Sequence, residues 1–147
     1  MKYLLDTNIL IHYIRRSPLG REIDNLYLPF VMPNEPFVSV VSIGELKSIA
    51  RQNQWGTRKV ATMELFLSKM LKADINVESI IDTYAEIDAY SQNKLPSRPL
   101  PLTARNMGKN DLWIAATASV LGATLLTTDT DFDHLDGEFL PVAKISA

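Results

Sequence analysis

Four acidic residues lie far apart in the sequence, and each adjoins an apolar run that is typical of a buried strand or helix: Asp6, Glu45, Asp111 and Asp129. If the fold brings these carboxylates together, their charges repel unless a cation binds them or some of them hold a proton. Carboxylate oxygens are the ligands that Mg²⁺ and Mn²⁺ prefer. One or two such ions can generate hydroxide from water and stabilise a leaving oxygen, as phosphodiester hydrolysis requires. The four acids therefore predict a Mg²⁺ or Mn²⁺ site suited to that reaction.

The predicted strands and helices place these acids along one edge of a sheet. Apolar patterning predicts strands at 2–5, 37–41, 75–77, 123–128 and 140–145, and helices at 8–16, 42–52, 57–72, 78–93 and 111–121. Strands that alternate with helices favour a parallel sheet with helices on both faces. In such a sheet the carboxyl ends of strands and the amino ends of the following helices share one edge, where ligands bind. All four acids occupy such positions, so we expect them to converge.

Each acid also has a purely structural interpretation. Asp6 and Asn8 are good caps for the first helix, Ser42 and Glu45 match the S-x-x-E capping box, and Asp129 suits a turn. A fold gains nothing by gathering several caps in one crevice, however, and the like charges would repel there. The joint pattern therefore favours a metal site over four independent caps.

Composition narrows the class of protein. With 147 residues, of which 46% are hydrophobic and 22% charged, the chain is expected to form one globular domain, residues 1–147. The net charge of −2 gives no overall positive field, so nucleic-acid binding would need local basic patches. The absence of cysteine excludes disulfides, thiolate nucleophiles and zinc–sulfur sites. No apolar run is long enough to cross a membrane, and polar residues interrupt the amino-terminal one, so we expect a cytoplasmic protein.

Four motifs carry a family resemblance: LLDTNILI at 4–11, SIGEL at 42–46, KNDLWIAATA at 109–118 and LLTTDTDF at 125–132. Together and in this order they resemble the motifs of PIN-domain nucleases, and more narrowly those of the VapC-type toxins of bacterial toxin–antitoxin pairs. The resemblance implies a three-layer α/β/α fold with a central parallel sheet. It also implies Mg²⁺- or Mn²⁺-dependent endoribonuclease activity that leaves a 5′-phosphate and a 3′-hydroxyl.

The resemblance also implies roles for individual residues and partners. The catalytic and metal-binding positions are Asp6, Glu45, Asp111 and Asp129, with Asp131 as the substitute for Asp129 and with Asn8 and Thr127 in supporting positions. The implied partners are RNA, an antitoxin protein that inserts an arginine or lysine among the acids, and a second copy of the chain. The apolar helical positions of 57–72 are one candidate face for that homodimer.

Basic residues flank the predicted site. Residues 46–63 and 91–110 each contain four basic side chains and no acid. RNA contacts are predicted for Arg15, Lys47, Arg51, Arg98, Arg105 and Lys109, and Trp55 could stack a base. The alternative is that these side chains are ordinary solvated residues. The Pro-rich segment 94–107 is longer than the resemblance suggests, and His12 and His134 are expected to be surface or capped residues.

Two other functions stay open on the sequence alone. A catalytically inactive PIN-like module could bind RNA or protein, although four intact acids argue against a degenerate site. A phosphohydrolase of the haloacid-dehalogenase type also places an aspartate at the end of its first strand. That class needs D-x-D there for an aspartyl nucleophile, whereas this chain has D-T-N at 6–8. Endoribonuclease activity is the better-supported prediction.

Overall fold

A computed structural model of the chain describes residues 1–146. Its centre is a five-stranded parallel sheet in the order β3-β2-β1-β4-β5. The strands are β1 (Lys2–Leu5), β2 (Glu35–Ser39), β3 (Leu71–Ala73), β4 (Thr124–Thr127) and β5 (Val142–Lys144). The first strand lies in the middle of the sheet, which explains why its three apolar residues are all buried.

Helices cover both faces of this sheet. They are α1 (Thr7–Ile14), α2 (Pro18–Tyr27), α3 (Val40–Gln52), α4 (Thr57–Ser68), α5 (Glu78–Ser91) and α6 (Lys109–Leu121), with a 3₁₀ helix at Thr130–Leu135. None of the helices among residues 1–146 is long and apolar enough to cross a membrane. The parallel sheet between two helical layers confirms the predicted α/β/α fold class.

The two helical layers follow from the alternation of side chains along the central strand. Leu5 packs with α1 to α4 on one face, whereas its neighbour Leu4 packs with α5 and α6 on the other. Both leucines are completely buried, which stabilises the fold by about 2 kcal/mol for each side chain. The helix α6 buries three small side chains, those of Ala115, Ala116 and Ala118, so it can lie close to the sheet.

Strand register determines which residues meet at the carboxyl edge. Tyr3 pairs with Thr124 and Leu5 with Leu126, so Asp6, which follows β1, is level with Thr127, the last residue of β4. The Asp6 amide donates to the Leu126 carbonyl at 3.0 Å, which extends this pairing by one residue. The two strands thereby bring Asp6 beside Thr127, although the two residues are 121 positions apart.

The structure differs from the predicted elements at three places, the first being the strand predicted at 37–41, which is β2 at Glu35–Ser39 because Ser39 already caps α3. The strand predicted at 75–77 is wrong, because the strand is β3 at Leu71–Ala73 and pairs with β2. Leu71, the first residue of β3, continues the helical spacing of the apolar residues in α4. The sequence therefore favoured a longer helix over 57–72. The Asp74 carboxylate accepts from the Asn76 amide at 3.1 Å, and this turn breaks any extended run after it. The helix α2 was not predicted, although Pro18 in its first turn is a typical helix start.

Candidate active site

The buried acid Asp6 is held through both of its carboxylate oxygens. It caps α1, with Oδ1 accepting from the Thr7 amide at 2.8 Å, and Oδ2 accepts from the Thr127 hydroxyl at 2.7 Å. Its exposed fraction is only 4%. The structural interpretation of Asp6 as a cap is therefore confirmed, but the second hydrogen bond fixes the carboxylate beyond what a cap requires.

The acid Glu45 is tied to the same point through a hydroxyl pair that the sequence did not reveal. The Thr7 hydroxyl hydrogen-bonds the Glu45 carboxylate at 2.8 Å and the Ser42 hydroxyl at 2.9 Å. The predicted capping box is wrong, because Ser39 caps α3 and Ser42 lies buried within the helix. The Thr7 hydroxyl, which also contacts Ser42, thus holds Glu45 at the edge where Asp6 lies.

Three further acids form a tight group beside this pair. Asp111 lies in the first turn of α6, Asp129 follows β4, and Asp131 begins the 3₁₀ helix. Each can present a carboxylate oxygen within 4.8 Å of the other two. Asp129 Oδ1 accepts from the Asp131 amide at 2.9 Å, and the Asp129 amide donates to the Thr127 hydroxyl at 3.0 Å. Both candidates for the fourth predicted ligand therefore lie beside Asp111.

The charges of these groups act on one another. Burial raises the pKa of Asp6 to about 6, against the donated hydrogen bonds of Thr127 and Thr7. Burial also raises the pKa of Asp111 to about 7, and the negative charges of Asp6, Asp129, Asp131 and Glu45 add to this shift. In the absence of a positive charge, Asp111 is therefore partly protonated near neutral pH, whereas Asp6 takes up its proton in mildly acidic solution.

The donor set fits a hard divalent cation. The three clustered side chains offer carboxylate oxygens, which Mg²⁺ and Mn²⁺ prefer over nitrogen or sulfur. Asp111, Asp129 and Asp131 are spaced so that one ion could touch all three. Glu45 and Asp111 also face one open depression of about 470 Å³, together with Lys109. The site therefore joins a cation-binding cluster to a surface open enough for a polymer.

The predicted supporting and RNA-contacting residues divide into two groups. Thr127 contacts Asp6 directly, whereas Asn8 is exposed and its side chain makes no hydrogen bond to residues 1–146. Lys47 and Arg51 line one cavity of about 380 Å³ on α3 and α4, together with Trp55. The exposed Arg15 follows α1.

The two arginines of the Pro-rich segment have structural partners. Arg98 donates to the Glu138 carbonyl at 3.1 Å and lies 4.3 Å from the Phe139 ring centre. Arg105 donates to the Thr130 carbonyl at 3.3 Å. These contacts fasten the Pro-rich segment to the loop that follows β4. The two guanidinium groups are therefore less free for RNA than the sequence suggested.

The expectation that His134 is a surface or capped residue is wrong. Its exposed fraction is 6%, and its Nε2 is joined to the Ser91 hydroxyl by a hydrogen bond of 2.7 Å. Burial, helped by the charge of Arg105, lowers the pKa of His134, so the ring is neutral at pH 7. A lone histidine gives no sequence signal for such a partner, because Ser91 is 43 positions away.

Comparison with known proteins agrees with this geometry. The PIN-domain family model matches residues 3–138. The chain is 30% identical over 129 residues to ribonuclease VapC2 of Haemophilus influenzae, covering 88% of this chain and 87% of that protein. It is 28% identical over 137 residues to ribonuclease VapC5 of Mycobacterium tuberculosis, covering 91% and 87%.

Solved structures give the same result for the fold. VapBC2 from Rickettsia felis, bound to a DNA fragment from its promoter, matches with a TM-score of 0.79 at 24% identity, covering 98% of both chains. VapBC-1 from nontypeable Haemophilus influenzae matches with a TM-score of 0.72 at 26% identity, also covering 98% of both chains. The chain therefore belongs to the PIN-domain family and, within it, to the VapC group.

Proposed function

We propose that this chain is a metal-dependent endoribonuclease and the toxin of a toxin–antitoxin pair. The observation that carries the proposal is the meeting of five carboxylates, from four separate parts of the chain, at the carboxyl edge of one parallel sheet. Relatives named as VapC ribonucleases support RNA as the substrate. The inactive-module and phosphohydrolase alternatives have no comparable observation in their favour.

The proposed ion is Mg²⁺ or Mn²⁺, held by Asp111, Asp129 and Asp131, with Asp6 and Glu45 completing the negative site. When bound, such an ion supplies an activated water and stabilises the leaving oxygen of the phosphodiester. The protein's own contribution is to fix the carboxylates before substrate arrives. Asp6 and Glu45 are oriented by hydroxyl groups, so they need little reorganisation.

The proposal is tested with end-labelled RNA pools and purified protein in Mg²⁺, Mn²⁺ or excess EDTA. Asp111→Asn removes one central charge with almost no change in volume. Asp82→Asn is the matched control, because Asp82 lies on the exposed face of α5. We expect cleavage that needs metal, is lost in D111N and persists in D82N. Equal cleavage by D111N and D82N would contradict the proposal and point to a contaminant.

The proposed RNA path runs from the acids onto α3 and α4. Lys47 and Arg51 line the same cavity, and Arg15 and Lys109 lie on exposed positions that would extend the positive surface. Such cations attract the phosphate backbone without reading sequence. The Lys59 ammonium lies 4.5 Å from the Trp55 ring centre, so a base could stack on that face only by displacing it. The proposal therefore assigns these residues to phosphate contact rather than base stacking.

An antitoxin is the proposed protein partner. Structural neighbours include VapBC complexes, among them VapBC-5 from Mycobacterium tuberculosis, which is described as a member of a toxin–antitoxin family. An arginine or lysine from the partner could neutralise the carboxylates and exclude the cation. This partner can be tested by co-expressing the protein encoded by the neighbouring gene. We expect it to inhibit the metal-dependent cleavage, and we expect replacement of its basic residues to relieve the inhibition.

Three further predictions accompany the proposal: a single nuclease domain over 1–147, a cytoplasmic location and a homodimer. The suggested dimer face on 57–72 is largely used inside the chain, since Met63, Leu67 and Met70 are buried in the core. Leu65 and Leu71 are the large apolar residues of that segment that stay exposed. Sedimentation at micromolar concentration, compared between the unmodified chain and Leu65→Gln, would test this face.

A further inference from the structure

The acid turn, defined here as residues 129–135, carries two of the three clustered carboxylates. It follows β4 and begins with Asp129, whose side chain caps its 3₁₀ helix. Asp129 and Asp131 can both place an oxygen within 4.8 Å of an Asp111 oxygen. At that spacing the ionised carboxylates repel, and this repulsion pushes the acid turn away from α6. Some other contact must therefore hold the turn in place.

The acid turn is joined to the rest of the fold by the core packing of Phe132 and Leu135 and by four polar side-chain contacts, of which the first is the Asp129 amide on the Thr127 hydroxyl at 3.0 Å. Lys144 binds Asp133 at 2.7 Å, but the two side chains are 38% and 41% exposed. Arg105 reaches the Thr130 carbonyl at 3.3 Å, also at an exposed position. Exposed contacts of this kind contribute little, because water and salt screen them. After Asp131, the hydrogen bond of 2.7 Å between His134 and Ser91 is the buried polar contact of the turn. Apolar packing of Phe132 and Leu135 has no fixed direction, so this hydrogen bond is the candidate anchor that sets the position of the turn.

The surroundings of His134 are built to keep this ring in one place. The Tyr90 ring lies parallel to the imidazole, with an interplanar angle of 5° and ring centres 6.3 Å apart. Phe139 packs edge-on against Tyr90 at 5.2 Å, and the Arg98 guanidinium covers Phe139. The imidazole therefore lies at the end of an aromatic stack in the core.

Ser91 connects this ring to the Pro-rich segment. Its carbonyl accepts from the Arg105 amide at 2.7 Å, and its hydroxyl lies 3.4 Å from the Met107 sulfur. Ser91 is completely buried at the end of α5. One serine thus joins α5, the segment that leads into α6 and, through His134, the acid turn. The Pro-rich segment leads into α6, and Asp111 lies in the first turn of α6.

We propose that His134 and Ser91 form a positioning pair that holds Asp129 and Asp131 within reach of the cation at Asp111. Neither residue touches the ion or the RNA. His134 lies one 3₁₀ turn after Asp131, so a displacement of the ring moves that carboxylate's backbone. The pair serves the metal site in the way that outer hydrogen bonds serve metal ligands in general. Because the inference rests on the proposed metal site, its test must separate the two.

The first measurement is Mn²⁺ affinity by electron paramagnetic resonance titration. His134→Phe keeps a ring in the aromatic stack without the hydrogen bond, and Ser91→Ala removes the partner. We expect each to weaken Mn²⁺ binding about tenfold. His134→Gln can restore a hydrogen bond to Ser91 and is expected to stay within about threefold of the unmodified protein. Ile23→Val, a core change on the opposite face of the sheet, should leave the affinity unchanged.

The second measurement is amide hydrogen exchange of residues 130–136 in the metal-free protein. We expect faster exchange in H134F and S91A, and no change in I23V. Unchanged exchange in H134F and S91A would overturn the anchor. Faster exchange with unaltered Mn²⁺ affinity would overturn its link to the metal site. If the unmodified protein binds Mn²⁺ no better than D111N, the proposed metal site itself fails, which is a different result from either.

Discussion

The carboxylate cluster has two halves that the fold holds in different ways. The inner half, Asp6 and Glu45, is fixed by hydroxyl donors from Thr7 and Thr127. In the outer half, Asp111, Asp129 and Asp131, the carboxylates lie within 4.8 Å of one another, and Asp131 is exposed. The inner acids therefore have partners without a cation, whereas the outer acids mainly meet like charge.

This difference separates preorganisation from metal dependence. Hydroxyl groups that are already bonded to Asp6 need no rearrangement when an ion arrives. The outer half gains most from an ion, because the cation replaces repulsion with attraction. We therefore expect changes in the inner half to cost stability with or without metal. Changes in the outer half should weaken metal binding. They should also reduce the charge repulsion in the metal-free protein and so stabilise it.

The largest effect is expected for Asp111→Asn in the outer half. Losing a central charge should lower RNA cleavage by about 10³-fold or more, since metal-assisted charge stabilisation is worth several kcal/mol. The same change should raise the melting temperature of the metal-free protein at pH 8, because it removes a half-buried charge that the neighbouring acids repel. Cleavage assays and thermal unfolding in EDTA check the two parts. A lower melting temperature in EDTA would contradict the contrast between the halves.

The next effect is expected for Thr127→Val in the inner half. Valine keeps the shape but leaves Asp6 Oδ2 and the Asp129 amide without their partner, which should cost about 1–3 kcal/mol in unfolding free energy. The loss should be greater at pH 8 than at pH 4.5, because the Thr127 hydroxyl favours ionised Asp6 and lowers its pKa. Urea unfolding at the two pH values measures this. An equal loss at both would show that Thr127 does not act through the Asp6 charge.

A smaller effect is expected from pH alone in the metal-free protein. The pKa values of Asp6 and Asp111, about 6 and about 7, both lie above the ordinary value of 3.8. Between pH 4 and pH 7 the folded chain therefore holds more protons at these carboxyls than the unfolded chain. Their contribution to stability falls as pH rises through that window and then levels off. Thermal unfolding in EDTA across this range should show the fall, and saturating Mn²⁺ should reverse it above pH 7.

The smallest effect is expected on the basic surface outside both halves. The double change Lys47→Ala and Arg51→Ala should weaken RNA binding and reduce the slope of log Kd against log salt by about 2. The melting temperature should stay nearly constant, since both side chains are exposed. Lys72→Ala, on the short strand β3, is the matched control. If the control lowers the slope as much, the surface on α3 and α4 has no special part in RNA binding.

The sequence was informative about the acids for a simple reason. A carboxylate that directly follows a buried strand, as Asp6 does, can be located from the local pattern and from the rule that parallel strands end at one edge. Asp129 follows the same logic. The hydroxyl contacts of Thr7 could not be located in this way, because Ser42 and Glu45 are 35 and 38 positions away and only tertiary packing brings them near.

Contacts between residues that are distant in sequence also explain the other predictions that were incomplete or wrong. His134 gave no signal of burial, because its partner Ser91 belongs to another helix. Arg98 and Arg105 resemble RNA contacts in sequence, whereas in the fold both guanidinium groups reach backbone carbonyls. The strand at Leu71–Ala73 escaped prediction since its residues continue the apolar spacing of α4. Local patterns thus located the charges of the site but not the contacts that hold them.

Binding of a divalent cation by the clustered carboxylates can be observed most directly by anomalous diffraction from Mn²⁺-soaked crystals, at a wavelength near the manganese edge. We expect a peak among Asp111, Asp129 and Asp131, near Asp6, that disappears in crystals of Asp111→Asn. Well-diffracting crystals of the unmodified protein with no peak there at millimolar Mn²⁺ would contradict cation binding by these acids.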